Sequence, residues 1–109
     1  MTIRAVVRGV GHYLPERVVP NSEFEATIDT SDEWIRSRSG IERRHFAAEG
    51  QTTSDLAIRA AKAALADAGM SADQLDAIVV ATSTPDFTFP SVATMVQAGL
   101  GTTSGFAYD

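Results

Sequence analysis

From Thr52 to Tyr108 the chain repeats one pattern, a helical segment followed by a short apolar run, and that order restricts it to an α/β arrangement. Thr52 or Thr53 can cap a helix that runs to about Ala68 and stops at Gly69, with Leu56, Ala60, Ala64 and Ala68 recurring at helical spacing. The small side chains on that stripe permit close packing. Ala77-Ile78-Val79-Val80-Ala81 is a continuous apolar run, the pattern of a parallel, central strand covered by helices on both faces. Ser91 can cap a further helix through about Ala98, and Ser104 to Tyr108 reads as the next strand, so strand, helix and strand form a βαβ crossover. Between them, Phe87 to Pro90 is a loop holding two aromatic rings. Ligands of open α/β sheets gather beyond the carboxyl ends of strands, which directs attention to whatever follows Tyr108.

Ahead of this block, Ile3 to Val10 is rich in branched residues and reads as a first strand running into a turn from Gly9 to Pro15. Gly9-x-Gly11 after a strand has the start of a dinucleotide fingerprint, but Leu14 stands where the third glycine belongs and Pro15 where a helix should begin. The two glycines instead serve close approach of backbones. Pro20-Asn21-Ser22 opens a short polar helix. A second short helix follows, with Thr30 and Glu33 as a capping box, Asp32 and Glu33 at its positive end, Arg36 and Arg38 at its negative end, and Gly40 as a left-handed stop. Arg43 to Ala47 is then extended.

That capped helix carries the only tryptophan, Trp34, and the stretch through His45 holds four of the nine basic residues, Arg36, Arg38, Arg43 and Arg44. Helix formation needs no indole flanked by guanidinium groups. Together they offer a stacking surface beside donors suited to phosphate, a pairing that fits a nucleotide. Arg36 has a simpler role, an exposed i,i+4 pair with Asp32. The formal charge of −5 argues against a general nucleic-acid binder, since phosphate neutralisation needs a basic face. No apolar run reaches the ~20 residues a membrane helix needs, and the first residues lack a signal peptide's apolar core, so a cytoplasmic protein is expected. With no cysteine and two isolated histidines, His12 and His45, no metal site is expected, and both histidines read as structural or surface groups.

Asp-Thr-Ser-Asp-Glu-Trp-Ile at 29–35, an Arg-Ser-Gly-Ile turn at 38–41 and Glu-Arg-Arg-His at 42–45 resemble the signature of β-ketoacyl-acyl carrier protein synthase III. Gly9 to Glu16, Thr82 to Ser91 and Phe106 to Asp109 extend the resemblance over the whole chain. It implies the N-terminal portion of a thiolase-like α/β fold, βαβ units with a central sheet flanked by helices, residues 1–109 being an incomplete part of one domain with no second domain. The complete protein would be roughly three times longer, and this portion would leave apolar surface uncovered. The resemblance implies that Trp34 stacks on the adenine of coenzyme A, that Thr30 lies near the same base, and that Arg38 reaches the phosphates. It also implies that Phe89 crosses a homodimer interface to wall the partner's acyl pocket, while Phe87 gains no role.

The implied activity of the intact enzyme is acyl transfer that starts fatty-acid elongation: a primer from acyl-coenzyme A is loaded on a cysteine, then condensed with malonyl-acyl carrier protein with release of carbon dioxide. Coenzyme A thioester is substrate, and no prosthetic group is expected. The partners implied are acyl-CoA, malonyl-acyl carrier protein and a second copy of the chain, without nucleic acid or membrane. In the resembled family the nucleophilic cysteine follows a few residues after the equivalent of Asp109, where a helix N-terminus would lower its pKa, and the assisting His and Asn lie in the second half. Residues 1–109 therefore hold no catalytic residue and should be inactive alone. Two other readings remain open from sequence: a thiolase-fold acyltransferase of secondary metabolism, and a non-catalytic fragment that binds coenzyme A or carrier protein.

Overall fold

The computed structural model describes all 109 residues and falls into two units, one made of Leu14–Gly50 and the other of Met1–Tyr13 with Gln51–Asp109. In the smaller unit, Arg17–Pro20 (β1) and Arg43–Phe46 (β2) form an antiparallel pair with Arg17 opposite Phe46 and Pro20 opposite Arg43. Pro20 ends β1 because it has no amide to donate, and the chain turns at once into Asn21–Phe24 (α1). Asp32–Ser39 (α2) follows, and Gly40 at φ 73° stops it as the sequence predicts. Val19 of β1 and Ile35 of α2 are the buried apolar side chains here. The expected extended segment after the signature is β2, and the short helix at Pro20–Ser22 is α1. β1 was not foreseen, since its four residues carry too short a pattern to distinguish a strand from a loop.

In the larger unit, Thr53–Ala68 (α3) begins at Thr52 and ends at Gly69, φ 64°, matching the sequence expectation. A single 3-10 turn at Ala72–Gln74 leads into Ala77–Val79 (β3). Val92–Gly99 (α4) and Phe106–Tyr108 (β4) complete the strand–helix–strand order, and β4 pairs parallel to β3 with Ala77 opposite Phe106. Val92, Ala93 and Val96 of α4 are essentially inaccessible and make the core, because α4 packs against α3, β3 and β4. Asp109, directly after β4, accepts hydrogen bonds from the amides of Val92 (2.8 Å) and Ala93 (2.7 Å), which joins the strand's carboxyl end to the start of α4.

The alanine stripe on α3 does what its small residues permit. A Cβ built on Gly9 would stand 2.7 Å from the Ala64 carbonyl oxygen and the Ala68 amide nitrogen, and one on Gly11 would stand 2.7 Å from the Ala60 carbonyl oxygen. The N-terminal segment thus lies directly on the α3 backbone, in agreement with the close-approach reading of the two glycines.

Two expectations need correction. Ile3–Val10 forms no strand: Ile3, Val6, Val7 and Val10 are more than two-thirds exposed, and the amide of Val10 is taken by the Asp67 carboxylate at 3.0 Å instead of by a neighbouring strand. A strand needs a partner ladder, and none runs beside this segment. Likewise β3 is parallel but not covered on both faces, with Ala77 and Val79 exposed and Ile78 half-buried in a two-stranded sheet. Val79, Phe106 and Tyr108 remain more than half exposed.

Candidate functional site

The start of α2 is built by three side chains. Ser31 is the N-cap, its Oγ accepting from the Trp34 amide at 3.1 Å. The Glu25 carboxylate accepts from the Asp32 amide at 2.9 Å, and Asp32 in turn accepts from Asn21 Nδ2 at 3.0 Å. This corrects the capping box: Ser31 caps, not Thr30, so Trp34 and not Glu33 occupies the third helical position. The offset of one residue is what a run of adjacent cap-competent side chains leaves undecided in sequence.

That register presents Trp34 outward, 56% exposed, although it is the largest apolar side chain of the unit. Asp29, Thr30, Ser31 and Trp34 line a cleft of about 390 Å³. Arg38, four residues on and therefore on the same helix face, holds its guanidinium carbon over the indole, 5.5 Å from the ring centroid. Thr30, Trp34 and Arg38, singled out from sequence, thus come together on one surface. Ser31 and Asp29, which sequence reasoning gave no site role, share its wall. The signal for Asp29 was its place at the head of the signature.

The remaining arginines divide by contact. Arg36 Nε lies 3.1 Å from Asp32 Oδ2 with both side chains about half exposed, the solvated pair expected from the spacing. Arg44 rests over the Phe24 ring at 5.3 Å, an arrangement that anchors β2 on α1, while Arg43 is exposed. His45 donates from Nδ1 to the Pro15 carbonyl oxygen at 2.7 Å, since a carbonyl only accepts, and so holds the turn before β1 in place. His12 is exposed. No group of three or more His, Asp or Glu side chains is placed to hold a metal ion.

In the larger unit, Phe89 is 86% exposed and Phe87 59%, on the loop that reaches the cis peptide before Pro90. The base of that loop is tied to α3: Asp86 accepts from the Ser54 amide at 2.8 Å and from the Ser54 hydroxyl at 2.6 Å, and Thr53 Oγ1 donates to the Thr84 carbonyl at 2.5 Å. Burial acts to raise the Asp86 pKa, but hydrogen bonds from the Ser54 hydroxyl, Thr52 and the Ser54 amide outweigh it and hold the carboxyl below the ordinary 3.8. An apolar groove of about 360 Å³, lined among others by Val6, Leu65, Ile78, Val96 and Leu100, lacks convergent polar groups and has the character of unfilled core.

No family model matches the chain. Against curated proteins it is 82% identical to a β-ketoacyl-[acyl-carrier-protein] synthase III of Rhodobacter capsulatus and 79% identical to one of Ruegeria pomeroyi, in each case over all 109 residues and 34% of the relative. Over its whole length the chain is similar to about a third of β-ketoacyl-acyl carrier protein synthase III. Among solved structures, the synthase III of Thermus thermophilus superposes with a TM-score of 0.84 at 48% identity, over 96% of this chain and 32% of that one. The synthase III of Pseudomonas aeruginosa gives 0.81 at 50%, over 95% and 32%. A priming β-ketosynthase of the R1128 polyketide pathway gives 0.83 at 35%, over 94% and 31%. The thiolase-like α/β fold expected from sequence is thereby present, and the chain spans about a third of the length of the synthase III relatives it matches. No helix is long and apolar enough to cross a membrane.

Proposed function

We propose that residues 1–109 are the N-terminal portion of a condensing enzyme and hold the nucleotide end of its acyl-coenzyme A substrate. The observation that carries this is the exposed indole of Trp34, walled by Thr30 in a cleft and faced by the Arg38 guanidinium. Other large apolar side chains are as exposed, and what sets Trp34 apart is the cleft beside it and the guanidinium on its ring. Arg38 occupies one face of the indole, and a purine fits the other. Stacking of a base on an aromatic ring contributes roughly 1–3 kcal/mol, and a guanidinium beside it pairs with pyrophosphate oxygens.

In the whole protein the acyl group passes from coenzyme A to a cysteine thiolate, and coenzyme A leaves as its thiol. The carbanion formed when malonyl-acyl carrier protein loses carbon dioxide then attacks the acyl-cysteine, giving 3-oxoacyl-carrier protein and freeing the cysteine. The cysteine, and the histidine and asparagine that assist decarboxylation, belong to sequence outside residues 1–109. This stretch alone is inactive and supplies binding and scaffold. The exposure of Phe89 supports its role across a homodimer interface, where it would help wall the partner's acyl pocket. A soluble, cytoplasmic enzyme fits this chemistry.

The test is kinetic, on the protein at its full natural length. Trp34→Ala should raise KM for acyl-coenzyme A about thirtyfold, the middle of the stacking range, and leave acyl-carrier protein unaffected because only the coenzyme carries adenine. Equal losses for both would reject the stacking role. The likeness to a priming polyketide β-ketosynthase supports a second reading, an acyltransferase with another acceptor. Acyl transfer without carbon dioxide release from malonyl-carrier protein would select it. Binding of coenzyme A with no transfer at all would select the non-catalytic reading.

A further inference from the structure

Asn21 is 1% exposed, the most buried polar side chain of the small unit, and its contacts converge on α2. Its amide nitrogen Nδ2 donates to Asp32 Oδ1 at 3.0 Å and to the Ile41 carbonyl oxygen at 2.6 Å. Asp32 is the first residue of α2 and Ile41 the residue just past its glycine stop. The Asn21 backbone amide adds a third bond, to the Glu42 carbonyl at 3.2 Å. One side chain thus ties both ends of the helix that presents Trp34 and Arg38.

The orientation of the amide is fixed by chemistry. A carboxylate and a carbonyl both accept, so the nitrogen must face them, and Oδ1 is left buried with no hydrogen-bond partner. An unpaired buried acceptor is unfavourable. A residue that only filled space here would be apolar. What distinguishes asparagine is the pair of donors, and the two groups they hold are the two ends of α2. Asp32 is additionally engaged by Arg36 Nε on its other oxygen, so the clamp orients a carboxylate already fixed from the solvent side.

We infer that Asn21 is a positioning residue for the Trp34–Arg38 surface: without its two donors α2 keeps its caps but loses its fixed placement, and the adenine-bearing ligand binds more weakly. This rests on the reading of that surface as the nucleotide site, and the test separates the two. In the protein at its full natural length, affinities for coenzyme A and for pantetheine, which lacks the nucleotide, are measured by calorimetry for wild type, Trp34→Ala, Asn21→Leu and Asn21→Asp. Asn21→Leu fills the volume without donors and keeps the test available where Asn21→Ala does not fold. Loss of hydrogen bonds to a charged group and a carbonyl predicts about a tenfold weaker coenzyme A affinity for Asn21→Leu, with pantetheine changed less than about twofold. Asn21→Asp should be weaker still at pH 7.5, where it sets a second carboxylate against Asp32, and should recover relative to wild type as the pH falls and the pair takes up a proton. If coenzyme A affinity stays within about twofold in the Asn21 variants while Trp34→Ala weakens it, the clamp is overturned and the nucleotide site stands. Equal losses for coenzyme A and pantetheine also overturn the clamp, since they report general disorder. Unchanged affinity in Trp34→Ala overturns the nucleotide site itself, and the inference with it.

Discussion

Removing the Asp86 carboxylate should cost the large unit about 2–3 kcal/mol, and the structure gives the reasons. Asp86 accepts from the Ser54 amide at 2.8 Å and the Ser54 hydroxyl at 2.6 Å, at the second residue of α3, where no intrahelical acceptor exists for the amide. Ser54 is only 3% exposed, so water replaces the lost partner poorly. Two charge-assisted bonds at about 1.5–3 kcal/mol each would exceed this estimate, but both end on one residue and Asp86 is half-exposed, which reduces the total. Asp86→Ala, compared with wild type by urea unfolding of the full-length protein at pH 7, should lower the midpoint without changing the slope. Asp86→Asn, which keeps one acceptor, should recover part of the loss. The pH dependence follows from the lowered pKa. A carboxyl held below its unfolded value of 3.8 contributes stability in full well above that value and loses it as the pH falls through its folded pKa. The gap between wild type and Asp86→Asn should therefore be flat from pH 7 to 5 and close only below 3.8. A loss under about 0.5 kcal/mol, or a gap that shrinks between pH 7 and 5, would refute the argument.

Gly11→Ala should destabilise by more than about 2 kcal/mol, because the new methyl meets α3 backbone that cannot move aside, and thermal unfolding reads this directly. Asp109→Ala should cost about 1–2 kcal/mol by freeing the amides of Val92 and Ala93, with faster hydrogen exchange confined to the first turn of α4. Arg38→Ala should weaken coenzyme A and flatten the salt dependence of its binding, seen by titration between low and high ionic strength, whereas Arg36→Ala, whose partner is Asp32, should do neither.

Sequence disclosed most where local chemistry decides. Gly40 and Gly69 stop their helices because each takes a positive φ that other residues resist, and Thr52 and Ser91 begin theirs through the short side chains that reach free amides. An indole flanked by guanidinium groups was readable from the residues around Trp34, whereas Thr30 and Arg38 were singled out through the family resemblance. The details of the helix cap were not readable. Thr30, Ser31 and Asp32 all have capping side chains, and the choice of Ser31 depends on Glu25, just past α1, accepting from the Asp32 amide. Asn21 itself gave no signal, since a polar residue opening a short helix looks solvated until its burial is known. Ile3–Val10 failed for the opposite reason, as a strand pattern states only a willingness to pair, and the ladder partner must come from elsewhere.

The account turns on where the adenine goes. A crystal structure of the full-length protein with coenzyme A should place the purine parallel to the Trp34 indole, about 3.5–4 Å away, with Arg38 turned to the phosphates. A purine bound elsewhere, with Trp34 untouched by the ligand, would contradict it.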